Sequence, residues 1–356
     1  MSVYVIAEAG VNHNGDVGLA RELVDVAAKA GADAVKFQTF AAERLVTATA
    51  PKAAYQRATT GAAESQFAML RRLELAPGDH HEIKARCRER GIDFLSTPFD
   101  EQSLDFLVRN LGLGTLKIAS GEVTNGPLLL HAAQSGCNII LSTGMSTLAE
   151  VREALGVLAF GLVGRGEASA RAAFAAAYES EVGRRALGDK VTLLHCTSAY
   201  PAPDDEANLK AMDTLRRAFG LRVGLSDHTA DTLIAVAAAA REAAVVEKHF
   251  TLDRSLPGPD HRASLEPGDL GQMIRAIRTV ARALGNGVKA PVPSERETMA
   301  VARRSLVALA PIRAGEPFTA ANIGARRPGT GRSPMEYWDL LGRTSERDLA
   351  EGEPLP

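Results

Sequence analysis

The sequence predicts an α/β chain: a (β/α)8 TIM barrel followed by a small C-terminal domain. Three observations carry this reading. Eight short apolar, β-branched runs alternate with longer amphipathic stretches over the first 285 residues. No Gly-rich dinucleotide fingerprint follows the first run, since Ala9-Gly-Val-Asn-His-Asn-Gly15 is not GxGxxG, and this speaks against a doubly wound open sheet. Polar residues recur at strand spacing where the runs end. Strands that alternate with helices pair in parallel through helical crossovers, and eight such units close into a barrel of roughly 250 residues.

In chain order the strands are expected at Val3–Ala9, Ala34–Thr39, Asp93–Thr97, Thr115–Ala119, Asn138–Ser142, Thr192–Cys196, Arg222–Ser226 and Val245–Phe250. Helical patterns lie between them at Gly18–Ala30, His80–Arg90, Gln102–Asn110, Pro127–Ser135 and Leu233–Arg241, and Pro267–Leu284 follows the last strand. Two connections are long. Phe40–Arg72, with a helical end at Glu64–Arg72, leaves the C-terminal end of a strand, where a lid would lie. Val157–Lys190 is Ala-rich, reads as helical and precedes a strand, so it is expected on the opposite face with a structural role, its 161–190 portion being the insertion proper. From Gly285 to Glu297 the text turns to Gly, Pro, Asn, Ser and charge, a linker composition. The expected domains are therefore 1–285, a linker 286–297, and a loop-rich module 298–356 that is marginal alone.

Hydrophobic residues make up 46% and charged residues 24%, which excludes a disordered chain. A net charge of −2 offers no basic field for nucleic acid, so an anionic substrate must be held by a few local cations. Cys87, Cys137 and Cys196 are odd in number and widely spaced, without CxxC, so neither structural zinc nor a disulfide framework is expected and a reducing cytoplasm fits. The start, Met1-Ser-Val-Tyr-Val-Ile-Ala-Glu8, lacks the basic and apolar regions of an export signal. The stretch Leu233–Val246 is broken by Arg241-Glu242 and falls short of the ~20 residues of a membrane span, so neither export nor membrane insertion is expected.

In a barrel, catalytic groups come from the C-terminal strand ends. Lys36 and Gln38, Ser226 and His228, and Glu247 and His249 are each two residues apart and so share a strand face. Glu8 ends the first strand, Thr97 the third, Lys117 with Ser120 the fourth and Ser142 the fifth, and His195 lies near the end of the sixth. His228 and His249 end neighbouring strands, and two imidazoles without a third protein ligand leave positions for water and substrate. That donor set suits Mn²⁺, with Mg²⁺, Co²⁺ or Zn²⁺ as alternatives; the plain alternative is that each His satisfies a barrel hydrogen bond. Lys36 and Lys117 among Thr97, Ser120, Ser142 and Ser226 suggest a cradle for phosphate and carboxylate. A Schiff-base lysine or a structural ion pair is the other reading. His13 suits a turn held by Asn side chains as well as a substrate contact. Cys196 reads as a small buried hydrophobe, and Tyr200, on a Pro-bracketed loop, as either a substrate contact or a packing residue.

These motifs bring a family into view. The chain resembles the bacterial sialic acid (nonulosonic acid) synthases, N-acetylneuraminate synthases first among them. The likeness rests on Ala7-Glu-Ala-Gly-Val-Asn-His-Asn-Gly15, Ala34-Val-Lys-Phe-Gln-Thr39, Ala50-Pro-Lys-Ala-Ala-Tyr-Gln56 and Glu64-Ser-Gln66. It continues through Ser96-Thr-Pro-Phe99, Lys117-Ile-Ala-Ser-Gly-Glu122, Leu141-Ser-Thr-Gly-Met145 and Leu194-His-Cys-Thr197. Gly224-Leu-Ser-Asp-His-Thr229, Glu247-Lys-His-Phe-Thr251, Pro257-Gly-Pro-Asp-His261 and the tail Arg326-Arg-Pro-Gly-Thr-Gly-Arg-Ser-Pro-Met335 complete it, the last resembling an antifreeze-like (SAF) domain.

The resemblance implies condensation of phosphoenolpyruvate with N-acetylmannosamine and water, giving N-acetylneuraminate and phosphate by C–O cleavage. N,N′-diacetyllegionaminate synthases, which take 2,4-diacetamido-2,4,6-trideoxymannose, share almost every motif and are the alternative; a Schiff-base aldolase is another. It further implies a domain-swapped homodimer in which the SAF domain caps the partner's barrel. By the same resemblance Lys36, Thr97, Lys117, Ser120, Ser142 and Ser226 bind phosphoenolpyruvate, and His228 and His249 hold the divalent metal. Glu8 and Glu247 do acid/base work, while Gln38, Tyr200, Asp260 and Arg327 face the sugar, with Arg327 coming from the other subunit. Ser198 stands where some members carry Asn and is set apart from the phosphate set. A tail acting as an independent ice- or carbohydrate-binding module is the reading from a different functional class.

Overall fold

The computed structural model describes residues 3–61, 64–164 and 170–356, with the side chains of all but 54, 55 and 58. Residues 62–63 of the long second connection and 165–169 of the Ala-rich excursion lie outside the described residues. The chain divides into two compact units, Met1–Gly285 and Asn286–Pro356.

The first unit repeats strand and helix. It opens with β1 (Tyr4–Gly10), α1 (Val17–Ala30) and β2 (Ala34–Thr39); the long connection then forms α2 (Ala42–Leu45), α3 (Ala54–Thr60) and α4 (Gln66–Arg72). Next come α5 (Pro77–Arg90), β3 (Asp93–Pro98), α6 (Glu101–Asp105, running on as a π turn over Phe106–Asn110), β4 (Thr115–Ile118), α7 (Gly126–Gln134) and β5 (Asn138–Ser142). Three helices follow, α8 (Leu148–Val163), α9 (Arg171–Glu179) and α10 (Glu181–Lys190), before β6 (Val191–Cys196). The unit closes with α11 (Lys210–Phe219), β7 (Arg222–Asp227), α12 (Leu233–Ala240), β8 (Val245–His249) and α13 (Pro267–Ala283).

All eight strands are parallel, in the order β3-β2-β1-β8-β7-β6-β5-β4, so β1 pairs with both β2 and β8. Among the described residues β3 and β4 share no ladder, which leaves a nearly closed barrel with one seam. Every expected strand is present, with ends within one or two residues. The helix after β5 begins at Leu148, ahead of the expected excursion, because Thr147 and Glu150 form a reciprocal cap there. Helix α11 is the crossover that eight strand–helix units require after β6, though no bounds were expected for it; Met212 and Leu215 are buried on it, and Leu209 and Phe219 pack against the core at helical spacing.

The barrel interior explains the strand-end pattern. Ile6, Ala34, Leu95, Ile140, Leu194 and Val245 pack as one apolar cluster inside the strands. Two residues further along the same strands stand Glu8, Lys36, Thr97, Ser142, Cys196 and Glu247. Since alternate strand residues share a face, the polar layer sits directly above an apolar plug. On β7 the residue below Ser226 is Gly224, where a Cβ would collide with the Val245 carbonyl and stand 2.8 Å from Leu194 Cδ2. Glycine there lets β7 and β8 approach at the level of the plug.

The second unit carries α14 (Arg296–Ala302) and an antiparallel pair, β9 (Ser305–Ala308) and β10 (Ile323–Arg326). It has its own small core, including Leu306, Ile312, Phe318, Ile323, Leu340 and Leu349. No helix among the described residues is long and apolar enough to cross a membrane.

Candidate active site

The C-terminal strand ends of the barrel surround a cavity of about 380 Å³ lined by Glu8, Lys36, Gln38, Thr97, Lys117, Ser120, Ser142, Tyr200, Ser226, His228, Glu247, His249 and Asp260. The structure thus brings together every barrel residue singled out from the sequence as a catalytic, substrate or metal group. Arg327 stands apart from them in sequence and is exposed on the second unit. His13 is fully buried, and its Nδ1 accepts from the Gly15 amide at 2.9 Å, which supports the turn reading.

Four buried ionisable groups form an alternating chain at the cavity base. Lys36 Nζ lies 2.7 Å from Glu8 Oε2 and 3.6 Å from Glu247 Oε2, and Lys117 Nζ is 3.4 Å from Glu247 Oε1. Lys36 also donates to Thr97 Oγ1 at 3.0 Å, and Ser226 Oγ donates to Glu247 Oε1 at 2.7 Å. Charges this deep persist only when paired, and here each carboxylate has an ammonium beside it.

The two glutamates are pushed apart. Burial raises the Glu8 carboxyl to about 7 against the pull of Lys36, whereas at Glu247 the two ammoniums outweigh burial and draw it down to about 2. Burial lowers Lys117, while Lys36 rises because Glu247 and Glu8 overcome its burial. Two lysines share Glu247, and burial opposes charge on Glu8, the other carboxyl beside Lys36, which makes the cavity base a setting for an anion. Ser142 Oγ is buried and without a hydrogen-bond partner, and Ser120 Oγ accepts from the Gly144 amide at 3.0 Å beside it.

The two imidazoles meet on the other side of the cavity, with ring centroids 5.5 Å apart. His228 Nδ1 lies 2.8 Å from the Thr197 carbonyl, so Nδ1–H must donate, and Nε2, 3.5 Å from Ser226 Oγ, carries the lone pair when the ring is neutral. His249 Nδ1 is buried and has no hydrogen-bond partner. Burial, His228 and Lys36 together hold His249 well below its ordinary value, so it is neutral and available as a ligand. Burial also opposes charge on His228, but Cys196 and the Thr197 carbonyl outweigh it and raise this ring, so an ion binding there would displace a proton. Among the described residues no group of three or more His, Cys, Asp or Glu encloses an ion. The two imidazoles could hold an ion only together with oxygen ligands from elsewhere.

Tyr200 lies over the His228 ring at 4.2 Å and edge-on to His249 at 5.7 Å. A Cβ on Gly10, whose φ is +55°, would stand 3.4 Å from Glu8 Oε1 and His249 Cε1 and 3.5 Å from Gln38 Nε2, so these three side chains converge on the glycine. Asp260 is buried, which raises it to about 6. His195 turns away from the site and lies 2.8 Å from the Ala207 carbonyl.

Two features escaped the sequence reading: the place of Cys196 at the cavity and the wall formed by the connection after β2. Cys196 is buried as expected, yet its Sγ lines the cavity 3.6 Å from His228 Nδ1. Ser198, set apart from the phosphate residues in the sequence reading, lines it too. Gln56, Gln66, Met69, Leu70 and Leu73, from α3, α4 and the residue after α4, form part of its wall. The signals for the last group were the position of that connection at a strand's C-terminal end and, for Gln56 and Gln66, the motifs they end.

The sequence matches the NeuB family model over residues 23–289 and the SAF domain over residues 303–356. It is 45% identical over 349 residues to the N,N'-diacetyllegionaminic acid synthase of Campylobacter jejuni subsp. jejuni serotype O:2, covering 98% of this chain and 97% of that one. It is 43% identical over 355 residues to the protein of the same name from Legionella pneumophila subsp. pneumophila, covering 100% and 94%. Among solved structures, the N-acetylneuraminic acid (sialic acid) synthetase of Leptospira borgpetersenii serovar Hardjo-bovis, in complex with citrate, superposes with a TM-score of 0.68 at 31% identity over 84% of this chain and 90% of that one. With barrel, tail domain and full-length relatives in agreement, the chain belongs to the NeuB family of sialic acid-type synthases and ends in a SAF domain.

Proposed function

We propose that the chain condenses phosphoenolpyruvate with 2,4-diacetamido-2,4,6-trideoxymannose and water to give N,N′-diacetyllegionaminate and phosphate. The alternating chain Glu8–Lys36–Glu247–Lys117 at the cavity base is the observation that carries the chemistry. The two full-length relatives named for diacetyllegionaminic acid support this acceptor. They reverse the order expected from the sequence, in which N-acetylneuraminate came first.

Phosphoenolpyruvate presents a carboxylate and a phosphate. Lys36 and Lys117 supply the positive charge for them, and the hydroxyls of Thr97, Ser120, Ser142 and Ser226 complete the acceptor oxygens. Gln38, Tyr200 and Asp260 face the sugar. In the reaction, C3 of phosphoenolpyruvate bonds to the sugar's aldehyde carbon, water adds at C2, and the C2–O bond to phosphate breaks. Glu8, holding its proton to about pH 7, passes it to the aldehyde oxygen and recovers one from the water. Glu247 stays ionised and keeps both ammoniums in place. His228 and His249 would hold a divalent ion, Mn²⁺ first, with Mg²⁺ or Co²⁺ as alternatives. Such an ion supplies Lewis-acid polarisation of the aldehyde oxygen.

The proposal extends to a domain-swapped homodimer in which Arg327, carried by the SAF domain, completes the sugar site of a second copy. A reducing cytoplasm suits the three buried free thiols. The test is phosphate release from phosphoenolpyruvate with each of the two acceptors. Turnover with the diacetamido sugar well above that with N-acetylmannosamine supports the reading; the reverse order overturns it. The lowered Lys117 amine also favours a Schiff-base aldolase as a second reading. Borohydride trapping of a lysine adduct would decide for it.

A further inference from the structure

The cavity is polar on its strand-end floor and apolar along one wall. That wall is built by the connection between β2 and α5: Leu45, Met69, Leu70 and Leu73 line the cavity together with Val11 and Phe99. These side chains form their own hydrophobic cluster with Phe40, separate from the barrel core, and Met69 and Leu73 within it are buried. One pair of amides interrupts the apolar surface. Gln56 and Gln66 also line the cavity, and Gln66 Nε2 donates to Gln56 Oε1 at 3.5 Å.

We propose that this wall selects the acceptor sugar: its apolar side chains take the deoxygenated, methyl-bearing end, and Gln66 binds the second acetamido group. The inference rests on the acceptor assigned above. 2,4-Diacetamido-2,4,6-trideoxymannose has a methyl where N-acetylmannosamine has a hydroxymethyl, and an acetamido group where the latter has a hydroxyl. Against leucine and methionine the methyl is buried at no polar cost, whereas a hydroxyl loses water and finds no partner, on the order of ten- to a hundredfold in affinity. An acetamido group needs both a donor and an acceptor in reach. The Gln66 amide has two N–H groups and a carbonyl, and its contact with Gln56 engages one N–H. The strand-end floor, by contrast, meets phosphoenolpyruvate and the aldehyde end, which is the same in both sugars.

The experiment compares kcat/KM for the two sugars in the full-length chain and in two variants, Leu70→Gln and Gln66→Ala. Leu70 and Gln66 are both only half-buried, so either variant can be checked for native circular dichroism and melting before assay. In the unaltered chain the ratio should favour the diacetamido sugar, and each variant should lower that ratio about tenfold, Leu70→Gln by admitting the hydroxyl and Gln66→Ala by weakening the acetamido contact. A preference of the unaltered chain for N-acetylmannosamine overturns the acceptor assignment and this inference with it. A preference for the diacetamido sugar that both folded variants retain within about twofold overturns the selective wall alone. If Leu70→Gln does not fold, the Gln66→Ala ratio decides.

Discussion

Lys248 and Asp227 form a fully buried ion pair, Nζ to Oδ2 2.8 Å, on the face of β7 and β8 opposite the active site. Their strands hold Asp227 against Lys248 and Ser226 against Glu247 in consecutive register, so the pair lies back to back with the catalytic groups. Lys248 also donates to the Thr229 carbonyl at 2.6 Å, and Asp227 Oδ1 accepts from the Thr229 amide at 2.9 Å. Every strong donor and acceptor is engaged, and the network ties together the two strand ends that carry His228 and His249.

Breaking this pair on one side leaves a buried charge uncompensated. Lys248→Met should cost about 3–5 kcal/mol in urea unfolding, and adding Asp227→Leu should restore much of that loss. Additive losses in the double variant would show that the two side chains act independently.

Glu247 is the counter-charge of both active-site lysines. In chains checked for native circular dichroism, Glu247→Gln should reduce phosphate release by about a thousandfold or more, and His249→Ala should do the same. Near-normal turnover in either variant, with metal still bound, sinks the site assignment.

Glu8 holds its proton to about pH 7 because burial outweighs Lys36. If it delivers a proton in the reaction, kcat/KM should fall as pH rises through about 7. Glu8→Gln should abolish that limb along with most of the activity. An alkaline limb that persists in the residual activity belongs to another group.

Burial lowers His13 and His261 each to about 4, and both rings are fully buried. Their folded pKa lies below the unfolded value of about 6.5, so their neutral forms stabilise the fold above that pH and the contribution is lost as pH falls toward 4. Urea midpoints measured from pH 7.5 down to 4.5 should decline, with up to about 3 kcal/mol at stake for each ring. His13→Asn should flatten the decline.

The SAF domain test uses two defective chains. In a domain-swapped dimer, Arg327→Ala and Glu247→Gln subunits mixed and reassembled should regain activity, because one of the two sites then receives an intact barrel and an intact arginine. Mixtures no more active than their parts would place Arg327 outside the site of a second copy.

The eight strands and the polar residues at their ends were legible in the sequence because strand alternation is a local property. Ile6 and Glu8, or Val245 and Glu247, must share a face whatever surrounds them, so an apolar plug beneath a polar layer is written into each strand separately. The two-His corner followed for the same reason, once β7 and β8 were expected to be neighbours. What the sequence left open depends on distance across the barrel. No local pattern says that Lys36 reaches both Glu8 and Glu247, or that burial wins at the first carboxyl while the two ammoniums win at the second. Nor does it say that Cys196 comes within reach of His228, or that the connection after β2 folds an apolar wall into the cavity. Identity and alternation belong to the chain; pairing and desolvation arise only when closing the barrel brings distant strand ends within a few ångströms and removes the water between them.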